Sequence, residues 1–336
     1  MIHRRLLFRV ILAALALGAT AAAPVLDRSP VVVLPPGVKV VADLEYARVN
    51  GHALLLDLYL PRQAKGRIPV VLWVHGGGWI MGDRHDPTAV PLAGEGYAVA
   101  SIDYRLNSEA LFPAQIQDCK AAVRWLRANA GKYHLDPDHV GAWGASAGGH
   151  LVALLGTTGG VKELEGDEGN GQFSSRVQAV CDFFGPSDLT KLDTRALYKA
   201  LKIDQRIGAD HGAGAPPPGG SSHDASADSF ESRLLGGAPD RLKQKAIQAS
   251  PITYISKDDP PFLIMHGDRD PMLPLVQSEI LHDALQKAGV QVTLHIVPGG
   301  SHGFGDAKHP GLVGGPENFA RVKGFFDKHL KGGRQP

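Results

Sequence analysis

Apolar positions recur along this chain in two rhythms. Ile68-Pro69-Val70-Val71-Leu72-Trp73-Val74-His75 is almost unbroken, the pattern of a parallel strand covered on both faces. Segments 97–104, 177–184, 261–266 and 290–297 repeat it, and Val140, Ala142 and Gly144 alternate along a shorter strand. Two further strands are predicted over 38–49 and 52–60, with Pro61 ending the second. Between the strands the spacing changes to that of helices. A short one is predicted at 87–95 and a long one from Pro113 to about Asn129, with Ile116, Ala121, Val123, Trp125 and Leu126 apolar. Others follow Ser146, cover about 275–288, and close the chain at about 316–331. Strands alternating with helices predict an α/β domain over 38–331, with a mostly parallel sheet and helices on both faces.

Two regions break the rhythm. Residues 186–250 hold no clear strand, and 208–229 are dense in Gly, Pro, Ser and Asp. This is read as an insert, either a cap over a site or a surface excursion, with 208–229 expected to be mobile because it has few apolar residues to offset ordering. At the other end, His3-Arg4-Arg5 and Arg9 precede an apolar run from Val10 to Ala19, followed by Thr20-Ala21-Ala22-Ala23. Residues 1–23 therefore read as a secretory signal cut near Ala22 or Ala23, with an uncleaved anchor as the alternative. Residues 24–37, rich in proline and valine, read as an N-terminal arm.

Removing that leader takes the formal charge from +1 to −2, because Arg4, Arg5 and Arg9 leave with no acid. A near-neutral mature chain without a basic run offers nothing to nucleic acid. The expected localisation is exported, with no stable membrane insertion after processing. Export would permit a Cys119–Cys181 disulfide, but Cys119 falls on a predicted helix and Cys181 on a predicted strand, which favours two free thiols over a bridge. No C-x-x-C or H-E-x-x-H pattern appears, so neither a metal nor any other cofactor is called.

The chemistry centres on Gly144-Ala145-Ser146-Ala147-Gly148, where the strand rhythm gives way to the helical one. A G-x-S-x-G placed there is the context of a nucleophile elbow, with a strained serine and small neighbours. His75-Gly76-Gly77-Gly78-Trp79 follows a buried strand, so its glycines leave backbone N–H groups bare for a developing oxyanion, with the Ala147 N–H as the other donor. His75 is read as a brace for this loop. Trp79 either walls the acyl pocket or packs in the core. A serine nucleophile needs a base, and the base needs an acid to orient it. His302, in the glycine-rich loop after the last strand, is the base candidate. Asp270, after strand 261–266 and before Pro271, is the acid candidate, ahead of Asp268 and Asp188.

Taken together, these motifs resemble the α/β-hydrolase esterases of the hormone-sensitive-lipase-like group, and most closely the bifunctional feruloyl/acetylxylan esterase-like family. Besides the stretches above, Asp103-Tyr104-Arg105-Leu106 and Phe112-Pro113-Ala114-Gln115 carry the resemblance, which covers roughly 40–331. It implies an eight-stranded α/β-hydrolase sheet and a Ser146–His302–Asp270 triad. It further implies an oxyanion hole from the N–H groups of Gly77, Gly78 and Ala147, and a structural role for 103–105. The function expected is cleavage of small-molecule or glycan carboxylic esters with short acyl or aryl groups. An amidase or peptidase of the same fold, or a non-catalytic binding protein, are the alternatives.

Overall fold

The computed structural model describes residues 33–201, 229–306, 308–309 and 311–332. Its strands are β1 (Val38–Val49), β2 (His52–Pro61), β3 (Ile68–Val74), β4 (Ala98–Ile102), β5 (Leu135–Ala145), β6 (Ala179–Phe183), β7 (Phe262–Gly267) and β8 (Val292–Val297). They form one sheet in the order β1-β2-β4-β3-β5-β6-β7-β8. β2 runs antiparallel to both neighbours, and every other pairing is parallel. The carboxyl ends of β3, β5, β6, β7 and β8 therefore share one edge, where ligands of open α/β sheets bind.

The helices are α1 (Pro91–Gly94), α2 (Ala114–Ala128), α3 (Ala130–Tyr133), α4 (Ala147–Thr157), α5 (Arg195–Ala200), α6 (Phe230–Leu235), α7 (Lys243–Gln248), α8 (Val276–Lys287) and α9 (Pro316–Leu330). All seven residues of β3 are buried, because both faces of the sheet are covered. Val70, Leu72 and Val74 join one core with α2 and α4, whereas Val71 and Trp73 join the other with α9. Each such aliphatic side chain contributes about 1.5–3 kcal/mol by leaving water. Pro69 has no N–H to give the ladder, and the β3–β5 register steps at that point, between Ile68 and Val70. Cys119 lies in the first core and Cys181 in the second, so the sheet separates these two free thiols.

Several elements are shorter than their hydrophobic runs. The helix over 87–95 contracts to α1. β4 stops at Ile102 because Asp103 turns out to meet Arg84, which donates from its backbone N and from Nη1, both at 2.8 Å. Arg105 then pairs with the buried Asp118 of α2 and with Glu168. Asp103 and Arg105 of this run are thus fixed by ion pairs, while the Asp103 N–H still donates to Leu55 O of β2 at 2.9 Å. β8 starts at Val292 because the Val290 N–H folds back onto Leu285 O at 3.0 Å to close α8.

The described part of 186–250 has no strand and carries α5, α6 and α7. Its two flanks are tied together: the Thr194 N–H donates to Glu231 Oε1 at 3.1 Å, and the Phe230 N–H donates to Thr194 Oγ1 at 3.0 Å. The segment 208–228, the leader 1–23 and most of the arm lie outside the described residues. Among the described residues no helix is long and apolar enough to cross a membrane.

Candidate active site

Ser146 stands between β5 and α4 at φ 56° and ψ −118°, a region that side-chain-bearing residues rarely enter. Missing side chains on either side make it possible. A Cβ on Gly144 would stand 2.3 Å from Gly148 O, and one on Gly148 would stand 2.0 Å from Val74 O. The turn is fixed from the next strand by the Ser146 N–H, which donates to Phe183 O at 2.8 Å. Because Ser146 precedes α4, the unpaired N–H groups and positive end of that helix lie beside it.

His302 follows β8, and its Nδ1 lies 2.8 Å from Asp270 Oδ2 on the loop after β7. A carboxylate only accepts, so the proton is on Nδ1 and the Nε2 lone pair is free. Asp270 Oδ1 in turn accepts from Met272 N at 2.7 Å and Leu273 N at 3.0 Å. Burial by itself raises this carboxyl, but hydrogen bonds from His266, His302 and the Leu273 N–H outweigh it and hold Asp270 well below the usual carboxylate range. The two rival acids are occupied elsewhere. Asp268 accepts from Gly299 N at 2.6 Å. Asp188 accepts from Thr190 and pairs with Lys191 at 3.1 Å.

The loop after β3 lies against the elbow, with Gly77 at φ 103° and Gly78 at φ 61°. Its glycines are enforced by close neighbours: a Cβ on Gly77 would meet Met81 O at 2.2 Å. His75 stacks on Tyr104 at 4.3 Å and sets its Nδ1 2.8 Å from Gly76 O, while the Tyr104 hydroxyl donates to His75 O at 3.1 Å. The ring thus braces the loop, and burial lowers its pKa. Trp79 lines the cavity, yet it is only 2% exposed and packs edge-on against His150 at 5.1 Å.

One cavity of about 650 Å³ is lined by Ser146, Ala147, His302, Gly77, Gly78 and Trp79 together. With Asp270 behind His302, candidate residues from four loops are brought to a single edge of the sheet. Leu192, Leu197 and Leu201 from one flank of the insert, and Phe230 from the other, form much of the apolar wall. Phe184 also lines it, at φ 43° and 4.5 Å from the His302 ring. Sequence reasoning passed over these residues, although Phe184 ends a strand just before Gly185-Pro186. It also passed over His266, which lies 3.3 Å from Asp270 Oδ2. Its only trace in the sequence is the spacing of four residues from Asp270, which by itself does not separate it from a packed histidine. Among the described residues no group of three or more His, Cys, Asp or Glu is arranged to hold a metal.

A sheet of this order, a serine on a strained strand-to-helix turn, and an acid and a histidine on the following loops define an α/β-hydrolase. The BD-FAE family model matches residues 56–285, and the chain belongs to that family. The dienelactone hydrolase family model also matches, over 246–329. Esterase LipQ of Mycobacterium tuberculosis is 30% identical over 78% of this chain and 57% of its own length, so the chain spans little more than half of that relative. Among solved structures, a truncated carbohydrate esterase from gut microbiota is 32% identical, with a TM-score of 0.70, covering 87% of this chain and 96% of that one. The butyrate-bound esterase 2 of Thermogutta terrifontis is 25% identical, with a TM-score of 0.63, covering 88% and 94%.

Proposed function

We propose that the chain is a serine-dependent carboxylic ester hydrolase acting on short-acyl or aryl esters, including acetylated or feruloylated glycans. The observation that carries this reading is the 2.8 Å contact of His302 with a buried carboxylate, beside a cavity that also contains the strained Ser146. His302 Nε2 takes the Ser146 proton as Oγ attacks the acyl carbon. Asp270 keeps Nδ1 protonated and stabilises the imidazolium. The N–H groups of Gly77, Gly78 and Ala147 receive the oxyanion. The alcohol leaves with the proton from His302, and water deprotonated by the same nitrogen releases the acid. The apolar wall supports an acyl or aryl group over a charged one. The gut carbohydrate esterase and the butyrate-bound esterase support, respectively, a sugar alcohol and a short acyl chain. The basic and apolar pattern of residues 3–23 supports export with removal of the leader.

A series of p-nitrophenyl esters from acetate to decanoate tests the reading. kcat/KM is expected to peak between acetate and butyrate, with no jump on emulsion formation. Ser146→Ala is expected to lose at least about a thousandfold in kcat while its melting temperature holds. A peak at decanoate, or turnover retained in folded Ser146→Ala protein, overturns it.

A further inference from the structure

His266 is the penultimate residue of β7, has no exposed surface and has no part in the acyl-transfer steps above. Its Nε2 lies 3.0 Å from Leu273 O and 3.3 Å from Asp270 Oδ2. Both of those atoms only accept, so Nε2 carries the proton and donates to them. Nδ1, 2.7 Å from Ser278 Oγ, is left to accept from that hydroxyl. The arrangement is a relay of four side chains from α8 to the cavity: Ser278, His266, Asp270 and His302. The last two histidine contacts fall on the same carboxylate oxygen.

We propose that His266 is a positioning residue: by donating to Asp270 Oδ2 it competes with His302 for that oxygen and limits how tightly Asp270 holds the His302 cation. The proposal rests on the reading of Ser146, His302 and Asp270 as the reacting set. Its physical content is a sign. The hydrogen on Nε2 is a positive end of a dipole aimed at the carboxylate, and it lowers the negative potential felt at His302. Without it, the His302 imidazolium is better stabilised and more acid-stable, so less of the enzyme holds a free base at low pH. The other acids near this cluster are Asp182 on the neighbouring strand β6 and Asp268 on the loop that carries Asp270. β8 sets Ile296 opposite His266, and Phe184 presents its ring at 6.1 Å.

The test compares pH profiles of kcat/KM for wild type, His266→Leu and His266→Gln. The leucine removes the donor. The glutamine keeps an N–H in reach of Asp270. His266→Leu is expected to move the acid limb upward by about half a pH unit or more, and His266→Gln to return it toward wild type. The shift should persist when Asp182→Asn is combined with each, because Asp182 titrates nearby. A purely structural role would lower the melting temperature and the rate of both variants and leave the limb in place, and that result overturns the inference. So does an equal shift in both variants. Nitrogen-15 NMR of the wild-type histidines at about pH 8 needs no variant: the proposal requires His266 as the Nε2–H tautomer, and an Nδ1–H tautomer refutes it. Ser146→Ala run alongside separates the two failures. If that protein still hydrolyses ester, the esterase reading falls. If it is inactive and the limb of His266→Leu is unmoved, only the role of His266 falls.

Discussion

Replacing Gly78 by alanine would test the oxyanion loop and the insert in one measurement. A Cβ at that position would stand 2.2 Å from Phe230 Cδ1 and 2.5 Å from Cε1, where ordinary contact begins at 3.4 Å. Either the loop or the α6 ring must therefore move by about 1.2 Å. Phe230 is tied by its N–H to Thr194 Oγ1 and by its ring to Tyr198 at 5.3 Å, so the loop is the softer partner. Loss of one oxyanion donor costs about 10²–10³ in kcat, and a loop displaced by an ångström approaches that loss. The φ of 61° adds about 1 kcal/mol of backbone strain, which appears as reduced stability. Gly78→Ala is thus expected to lower kcat on p-nitrophenyl butyrate by about a hundredfold, with a smaller change in KM. Removing the obstacle should reverse much of this. In the Gly78→Ala/Phe230→Ala double variant the methyl has room, and kcat should recover by at least about tenfold relative to Gly78→Ala. A single variant with wild-type kcat would show that the Gly78 N–H takes no part. A double variant no faster than the single would show that Phe230 is not what fixes the loop.

Asp270→Asn keeps an oxygen for the Met272 and Leu273 N–H groups but can turn an amide N–H toward His302, which favours the wrong tautomer. Its kcat is expected to fall by about 10³–10⁴ with the fold intact, and a loss under tenfold would move the acid elsewhere. Asp182, fully buried behind α4, accepts from Gly185 N at 2.9 Å, and burial pushes its carboxyl up to about 7. A raised acid favours the folded state while neutral, so its contribution is complete below about 4 and is lost as pH rises through about 7, a swing on the order of 4 kcal/mol. Asp182→Asn is expected to flatten the melting temperature between about pH 5 and pH 8, and curves parallel to wild type would contradict this.

How much of this was readable in the chain follows from the range of the interactions. The strands announce themselves because β3, β4 and β6 are buried on both faces, which leaves continuous apolar runs. The elbow could be read because steric crowding at Ser146 demands small residues within four positions of it, all local in sequence. His302 and Asp270 were singled out by lying just past strand ends, a rule of parallel sheets. Strand ends were misread where a side chain leaves the ladder for a distant partner, as Asp103 does for Arg84. Phe230 was missed for the same reason, and His266 for a different one. Phe230 matters because its ring touches Gly78, more than 150 positions earlier, and no spacing encodes that. His266 matters through a contact only four residues away, but a histidine ending a strand before glycine has no pattern that sets it apart from a packed one.

The placement of His302 has a consequence for how the molecule fails. β8 is an edge strand, bonded on one side only, and none of its six residues is fully buried. Local opening begins where burial and pairing are least, at a cost below that of unfolding the whole chain. The histidine of the site hangs on the loop that follows this strand, whereas Ser146 is anchored at the centre of the sheet. Under the proposed mechanism, rising denaturant or heat is therefore expected to release His302 while the core still holds Ser146 in place. Esterase activity should then be lost before the global unfolding transition and regained after the core on refolding. The proposed activity would report on one edge strand rather than on the protein as a whole.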